Sequence, residues 1–251
     1  MTINRFFLPI AAAALSVMTP IAAQAAQFLI TYSGTTSGRD FTGVFGDANS
    51  FINEAAFKAV YTLTLPTPGA VEQTDGSTFY RLFGGTLHGT SSPIFAELTI
   101  NGITRTVSGQ YNGTIYTAMQ PGNHFLGHAA NENTGTDGSD FIISNFIYHN
   151  IESSVNAFVT SLDPTKPYSY AIKPEDRQRS LWQFAKFDGT GNRVIERANG
   201  SMTSESVTVE AVTVGAIPEP TTWLMMIVGF GMVGASIRSK RRQSFGVVAA
   251  A

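Results

Sequence analysis

Residues 95–107 read FAELTINGITRTV, an alternation of apolar and polar side chains running into and out of one Asn-Gly pair. Asn101-Gly102 supplies two adjacent positions that tolerate positive φ, the requirement of a two-residue type I′ hairpin turn. Ile100 then faces Ile103 across the turn. Ala96, Leu98, Ile100, Ile103 and Val107 share one side, with Arg105 at an edge, while Glu97, Thr99, Thr104 and Thr106 cover the other. A hairpin with one apolar and one polar face belongs to an antiparallel sheet packed on one side.

The same pattern extends in both directions. FKAVYTLTL (57–65) stops at Pro66, QYNGTIYTA (110–118) surrounds Asn112-Gly113, SLWQFAKF (180–187) runs into Asp188-Gly189, and ESVTVEAVTV (205–214) follows. In the last of these Val207 and Val209 share one face and Val212 and Val214 the other, which predicts a bulge near Glu210-Ala211. Only SFINEAAFKAV (50–60) carries a trace of helical spacing, through Phe51, Ala55 and Ala59, and its second half reads equally as the start of a strand. The expected fold is all-β, an antiparallel β-sandwich of jelly-roll type.

Composition fits one such domain plus two specialised ends. The 251 residues contain no cysteine, 16 Lys+Arg and 18 Asp+Glu. Residues 1–25 read as a secretory signal peptide, with Arg5, an apolar run from Phe6 to Val17, and the small-x-small cleavage site Ala23-Gln24-Ala25 leaving Ala26 as the new N-terminus. Residues 26–216 form the secreted β-domain. With 11 basic and 17 acidic residues between positions 26 and 217, its formal charge is −6, so nucleic acid is not an expected partner. An exported domain without cysteines is held by its core alone.

Residues 217–242 form a sorting and anchor segment. The chain is uncharged from Trp223 to Ile237 and then carries Arg238, Lys240, Arg241 and Arg242, a basic cytoplasmic stop. Fifteen helical residues reach only about 22 Å of the ~30 Å hydrocarbon layer, a marginal span that suits a transient anchor in the inner membrane. Pro218 and Pro220 hold Ile217 to Pro220 extended outside the helix, where a processing enzyme can grip it, and Trp223 marks the interface. Residues 243–251 trail as a short tail.

Pro218-Glu219-Pro220, Trp223, Gly229-Phe230-Gly231 and the basic cluster, in that order, resemble the PEP-CTERM sorting signal in its Trp-containing form. Leu224 stands where that pattern has Ala, and residues 243–251 extend past its usual end. The resemblance implies recognition of Pro218, Glu219 and Pro220 by an exosortase, a membrane-embedded cysteine peptidase of Gram-negative bacteria that secrete exopolysaccharide. It further implies export, transient anchoring with the C-terminus cytoplasmic, and release to the cell surface or matrix. TYSGTTSGRDFTGVFG (31–46) loosely resembles the start of other exported domains that carry this signal.

Few residues in the β-domain point to chemistry. No serine stands in a G-x-S-x-G elbow and there is no cysteine nucleophile. Of His88, His124, His128 and His149, only His124 and His128 have ligand-like spacing, with no third partner, so no metal site is expected. Asn131, Asn133, Asp137, Ser139 and Asp140 make calcium a candidate, but their spacing departs from the D-x-[DN]-x-[DN]-G loop and favours a solvated turn. Glu175 to Arg179 reads as an exposed charged turn. Tyr148, Tyr168, Tyr170 and Trp182 are candidates for stacking on sugar rings. The expected function is that of a non-enzymatic envelope or matrix protein associated with exopolysaccharide or biofilm. The rival is a polysaccharide-binding or polysaccharide-active β-domain with the same tail.

Overall fold

The computed structural model describes residues 26–135 and 140–212. They form twelve strands: β1 (Ala26–Asp40), β2 (Ser50–Leu65), β3 (Val71–Thr74), β4 (Phe79–Gly84), β5 (Ile94–Ile100), β6 (Ile103–Val107), β7 (Asn112–Gln120), β8 (Asn123–Thr134), β9 (Phe141–Ser153), β10 (Tyr168–Ala171), β11 (Arg177–Asp188) and β12 (Val194–Val212). A single 3₁₀ turn, Thr86–His88, is the helical element among the described residues. The strands join in the order β3-β4-β7-β8-β9-β11-β12-β1-β2-β5-β6, with β10 on β12, and every pairing is antiparallel.

The all-β, antiparallel expectation holds, and its two facing layers are the two halves of this one sheet. The sheet curls until β5 and β6 face β7, β8 and β9. The inner face then encloses the core: Ile30 and Tyr32 of β1, Ala59, Tyr61 and Leu63 of β2, Leu98 and Ile100 of β5, Ile115 of β7, and Ile147 and Ile151 of β9 are all fully buried. Burying each large aliphatic side chain contributes about 1.5–3 kcal/mol, which is how a domain without cross-links holds together.

The β5–β6 hairpin forms as its sequence predicts. Asn101 (φ 53°) and Gly102 (φ 77°) make the turn, and Ile100 pairs with Ile103, Thr99 with Thr104 and Ala96 with Val107. The Thr99 and Thr104 hydroxyls bond at 2.8 Å on the solvent side. Arg105 turns its Nε to the Val44 carbonyl at 3.1 Å.

Three expectations are corrected. The SFINEAAFKAV stretch is strand throughout, the long β2, with a register shift opposite Thr36–Gly38 that places Glu54 at φ 48°. Alternate burial of Phe57, Ala59 and Tyr61 against β1 outweighs the weak helical spacing. The β1–β12 ladder runs unbroken from Val209 to Val212, so no bulge lies at Glu210-Ala211. The change of phase falls earlier, at Glu205 opposite Ser33 and Gly34: Met202 and Ser204 face inward before it, Val207 and Val209 after it. Serines on both sides hide the shift from a hydrophobicity pattern. Asn112-Gly113 starts β7 instead of turning the chain, because Gly113 lies where Ser92 and Ile94 of the curled edge leave no room for a Cβ.

TYSGTTSGRDFTGVFG is the crossing point of the sheet. Gly34, Gly38 and Gly200 are positions where a Cβ would run into the partner strand of the β1–β12 pair. Trp182 lies over Gly200, buried, and donates its indole N–H to Thr36 Oγ1 at 2.8 Å. Asp40 ends β1 and accepts four backbone N–H groups: Thr42, Gly43 and Val44 on Oδ1 at 3.2, 2.7 and 2.9 Å, and Phe45 on Oδ2 at 2.6 Å. That cage presses Phe45 edge-on against Trp182 and Phe184, at 5.2 and 5.4 Å between ring centres.

Candidate functional site

Strands that alternate in burial present every second side chain outward, and on β4, β7, β8 and β9 the outward set is aromatic and polar. Arg81 pairs with Tyr116, Tyr116 with Gly127, and Gly127 with Asn150, so the four stand in one row straight across four strands. Gln73 on β3 extends the row at one end, and Arg179 on β11 at the other. Phe79 and Phe125 flank it on one side, Tyr148 on the other. All of these except Arg179 line a hollow of about 360 Å³.

Gly127 forms its floor. A Cβ there would lie 2.6 Å from Asn150 Oδ1 and 2.7 Å from a Phe125 ring carbon, so only glycine lets both side chains rest over the sheet. The Tyr116 and Phe125 rings pack 4.9 Å apart, and Phe79 meets Tyr116 edge-on at 6.4 Å. Asn150 Nδ2 donates to the Tyr148 hydroxyl, leaving the Asn150 carbonyl oxygen toward the floor. Arg81 is exposed, with its guanidinium 4.7 Å from the Phe83 ring centre. Among the described lining residues none is acidic; Glu152, two residues along β9 from Asn150, faces Arg177 on β11. The hollow can bind, through ring faces, amides and a cation.

Behind that wall, inside the curl, lie two tyrosines and two histidines. Tyr32 Oη is 2.6 Å from His128 Nδ1, and Tyr61 Oη is 2.8 Å from His149 Nδ1. His128 and His149 face each other across β8 and β9, and His149 stacks on Tyr32 at 4.2 Å. Burial raises both tyrosines well above their ordinary range, so each keeps its hydroxyl proton. Burial pushes His128 down to about 3 and, with the adjacent His128, holds His149 well below its ordinary value. Both rings are neutral, so each carries one ring proton, and in each bond either the tyrosine O–H or the Nδ1–H is the donor. His149 Nε2 has no partner among the described residues. The knot ties β1 and β2 to β8 and β9.

Other predicted residues scatter. His124 and His128 lie on strand β8, not on a helix, and His124 accepts the Val159 N–H at 3.2 Å. His88 packs edge-on against Phe83. Trp182 is core, not a sugar platform. Tyr168 and Tyr170 stack on each other, and Phe158 stacks on Tyr170, so neither tyrosine joins the hollow. Glu175, Arg177 and Arg179 are exposed as expected, but Asp176 is buried and Arg177 already starts β11, which corrects the reading of Glu175 to Arg179 as one exposed turn. Burial pushes its carboxyl up, but hydrogen bonds from Tyr170 Oη (2.6 Å), the Lys173 N–H (2.9 Å) and Asn156 Nδ2 (2.8 Å) prevail and hold it below the usual carboxylate range. Of the calcium candidates, Asn131 and Asn133 lie on β8 and Asp140 just before β9, while Asp137 and Ser139 lie outside the described residues.

The terminal elements also lie outside them: residues 1–25 with Ala23 and Ala25, Pro218, Glu219, Pro220 and Trp223, and the basic stop Arg238, Lys240, Arg241 and Arg242. Ala26 is the first residue of β1, paired with Leu65, and Gln27 pairs with Val212 at the end of β12. The described domain therefore begins and ends side by side, at one end of one strand pair.

An antiparallel β-domain followed in the sequence by Pro-Glu-Pro, an uncharged apolar run and a basic cluster defines a class: exported domains with a C-terminal sorting tail. The particular tail is the PEP-CTERM protein-sorting motif, whose family model matches residues 216–242. The chain carries that motif and is, through it, an exported protein sorted by an exosortase. Neither the curated proteins nor the solved structures contain a match to the chain.

Proposed function

We propose that the β-domain is a non-enzymatic component of the outer envelope or extracellular matrix, associated with exopolysaccharide. A signal peptide takes the chain through the inner membrane. The apolar run then holds it there with Arg238 to Arg242 cytoplasmic until the exosortase acts at Pro218-Glu219-Pro220. The observation that carries this reading is the motif match at 216–242, four residues beyond the end of β12. A linker that short keeps the domain within about 14 Å of the matched segment, at roughly 3.4 Å per extended residue.

The test is fractionation of the producing cell. Removing Pro218 to Pro220 is expected to leave the protein at full length in the inner-membrane fraction, while the parent chain appears outside with a shorter C-terminus by mass spectrometry. Identical mass and location for the two chains would end the proposal.

A further inference from the structure

The outward row Arg81, Tyr116, Gly127, Asn150, Arg179 runs perpendicular to the strands. At about 4.8 Å between neighbouring strands, its four steps span roughly 19 Å. Exposed guanidinium groups stand at both ends, and ring faces and an amide lie between them over a glycine floor. From this geometry we infer that the row is a binding site for an acidic polysaccharide lying across strands β4 to β11, with its carboxylates on Arg81 and Arg179 and a sugar ring against Tyr116.

The chemistry of the row selects that occupant. At Arg81, Tyr116, Gly127 and Asn150 the chain is paired on both sides, so the backbone N–H and C=O groups there are engaged in the ladder, and an extended peptide could add on only at the β3 edge, parallel to the strands and not across the row. Side chains alone must do the recognition. Aromatic faces suit the C–H side of a pyranose, Asn150 and Gln73 suit its hydroxyls, and guanidinium suits carboxylate in a two-pronged contact. Nucleic acid shares the charge and the rings, and the formal charge of −6 opposes both polyanions alike at long range, so the choice falls to the local groups: Asn150 and Gln73 beside the rings suit the hydroxyls that line a polysaccharide. Glu152 and Arg177, opposite each other beside the row, leave it neither more acidic nor more basic. Gly127 is the position where side-chain bulk would fill the floor.

The inference rests on the reading of the domain as a polysaccharide-associated component, and names the ligand and the site. The full-length chain in detergent micelles is titrated calorimetrically with oligogalacturonate, its methyl ester, a cello-oligosaccharide and polyglutamate. Oligogalacturonate is expected to bind best, and Arg81→Gln and Arg179→Gln each to weaken it roughly tenfold, the scale of one charge-assisted contact. The methyl ester, which loses both charge-assisted contacts, is expected to bind the parent chain about as weakly as the acid binds a variant carrying both Arg81→Gln and Arg179→Gln. Tyr116→Ala is expected to weaken acid and ester alike. Circular dichroism of each variant shows that the fold is kept. Polyglutamate binding as tightly as the uronate, or uronate binding unchanged in both arginine variants, would overturn the site. Equal binding of the neutral cello-oligosaccharide would overturn the acidic ligand while leaving the polysaccharide association intact. Absence of binding to any of the sugars overturns the site too, and cell fractionation then decides the sorting proposal separately.

Discussion

Tyr61 reaches from β2 across the interior to His149 on β9, Oη to Nδ1 at 2.8 Å, and so joins two strands that are not neighbours in the sheet. The contact is one of the few polar links between the facing layers, and it is buried from end to end. Tyr61→Phe removes the hydroxyl and leaves His149 with neither ring nitrogen bonded, since Nε2 already lacks a partner. A buried polar group stripped of its partner costs about 1–3 kcal/mol. The expected result is a Tm lower by several degrees with an unchanged circular dichroism spectrum. No change in Tm would mean that the hydroxyl contributes nothing to closing the curl.

The same histidines set an acid limit. In the folded domain His128 titrates at about 3, against an ordinary value of 6.5, and His149 is shifted in the same direction by burial and by His128. Between those values the unfolded chain binds protons that the folded chain refuses, so stability rises with pH. Their contribution is complete above about pH 6.5 and is lost progressively as pH falls toward 3. Asp75, Asp163 and Asp188 are held below the usual carboxylate range chiefly by hydrogen bonds from neighbouring hydroxyls, and they add to acid sensitivity only below pH 3.8. Melting curves from pH 6.5 to 4.5 therefore isolate the histidines. His128→Phe is expected to flatten the fall in Tm over that window; a parent protein with a level Tm there would contradict the neutral pair.

Asp40 is a third point of control. Its carboxylate satisfies four consecutive N–H groups, and these fix the turn that buries Val44 and Phe45. Asp40→Ala orphans all four donors and is expected to cost at least about 3 kcal/mol, given 1.5–3 kcal/mol for each bond to a charged group. Asp40→Asn keeps an oxygen in the Oδ1 position and is expected to lose less. Urea unfolding of the two variants checks the order, and equal losses would refute the cage.

The sequence carried local information well and long-range information poorly. Asn101-Gly102 states its own turn, and the strands ending at Leu65 and Asp188 are bounded by residues that stop a ladder. Asn112-Gly113 has the same letters as the hairpin turn but sits in β7, because the edge near Ile94 crowds it, a contact from outside the local window. The Tyr–His knot and the outward row depend on β8 and β9 meeting β1, β2 and β4 in a particular order, and alternation within a strand does not encode its neighbours. Tyr148 was legible as an outward aromatic, while Trp182 was not legible as core, because aromatic type alone does not report burial. Arg81, Tyr116, Asn150 and the glycine between them gave no motif, being spread over 70 positions of sequence and adjacent only through pairing.

Strand β12 yields the last prediction. It is the final strand in the described chain, yet it lies inside the sheet, with β11 on one side and β1 on the other. β1 pairs with it along nearly its whole length, and β10 also docks on it. The sheet therefore cannot close until residue 212 is available, and the sorting motif begins only at 216. Folding and sorting then fall together at the end of export. A chain stopped after Asp188 loses the only strand bridging β11 and β1, exposing Trp182 and the ladder edges of both. It is expected to be degraded rapidly by limited proteolysis, while a chain stopped after Val214 keeps every described strand and resists. Equal resistance of the two would show that the curl closes without β12.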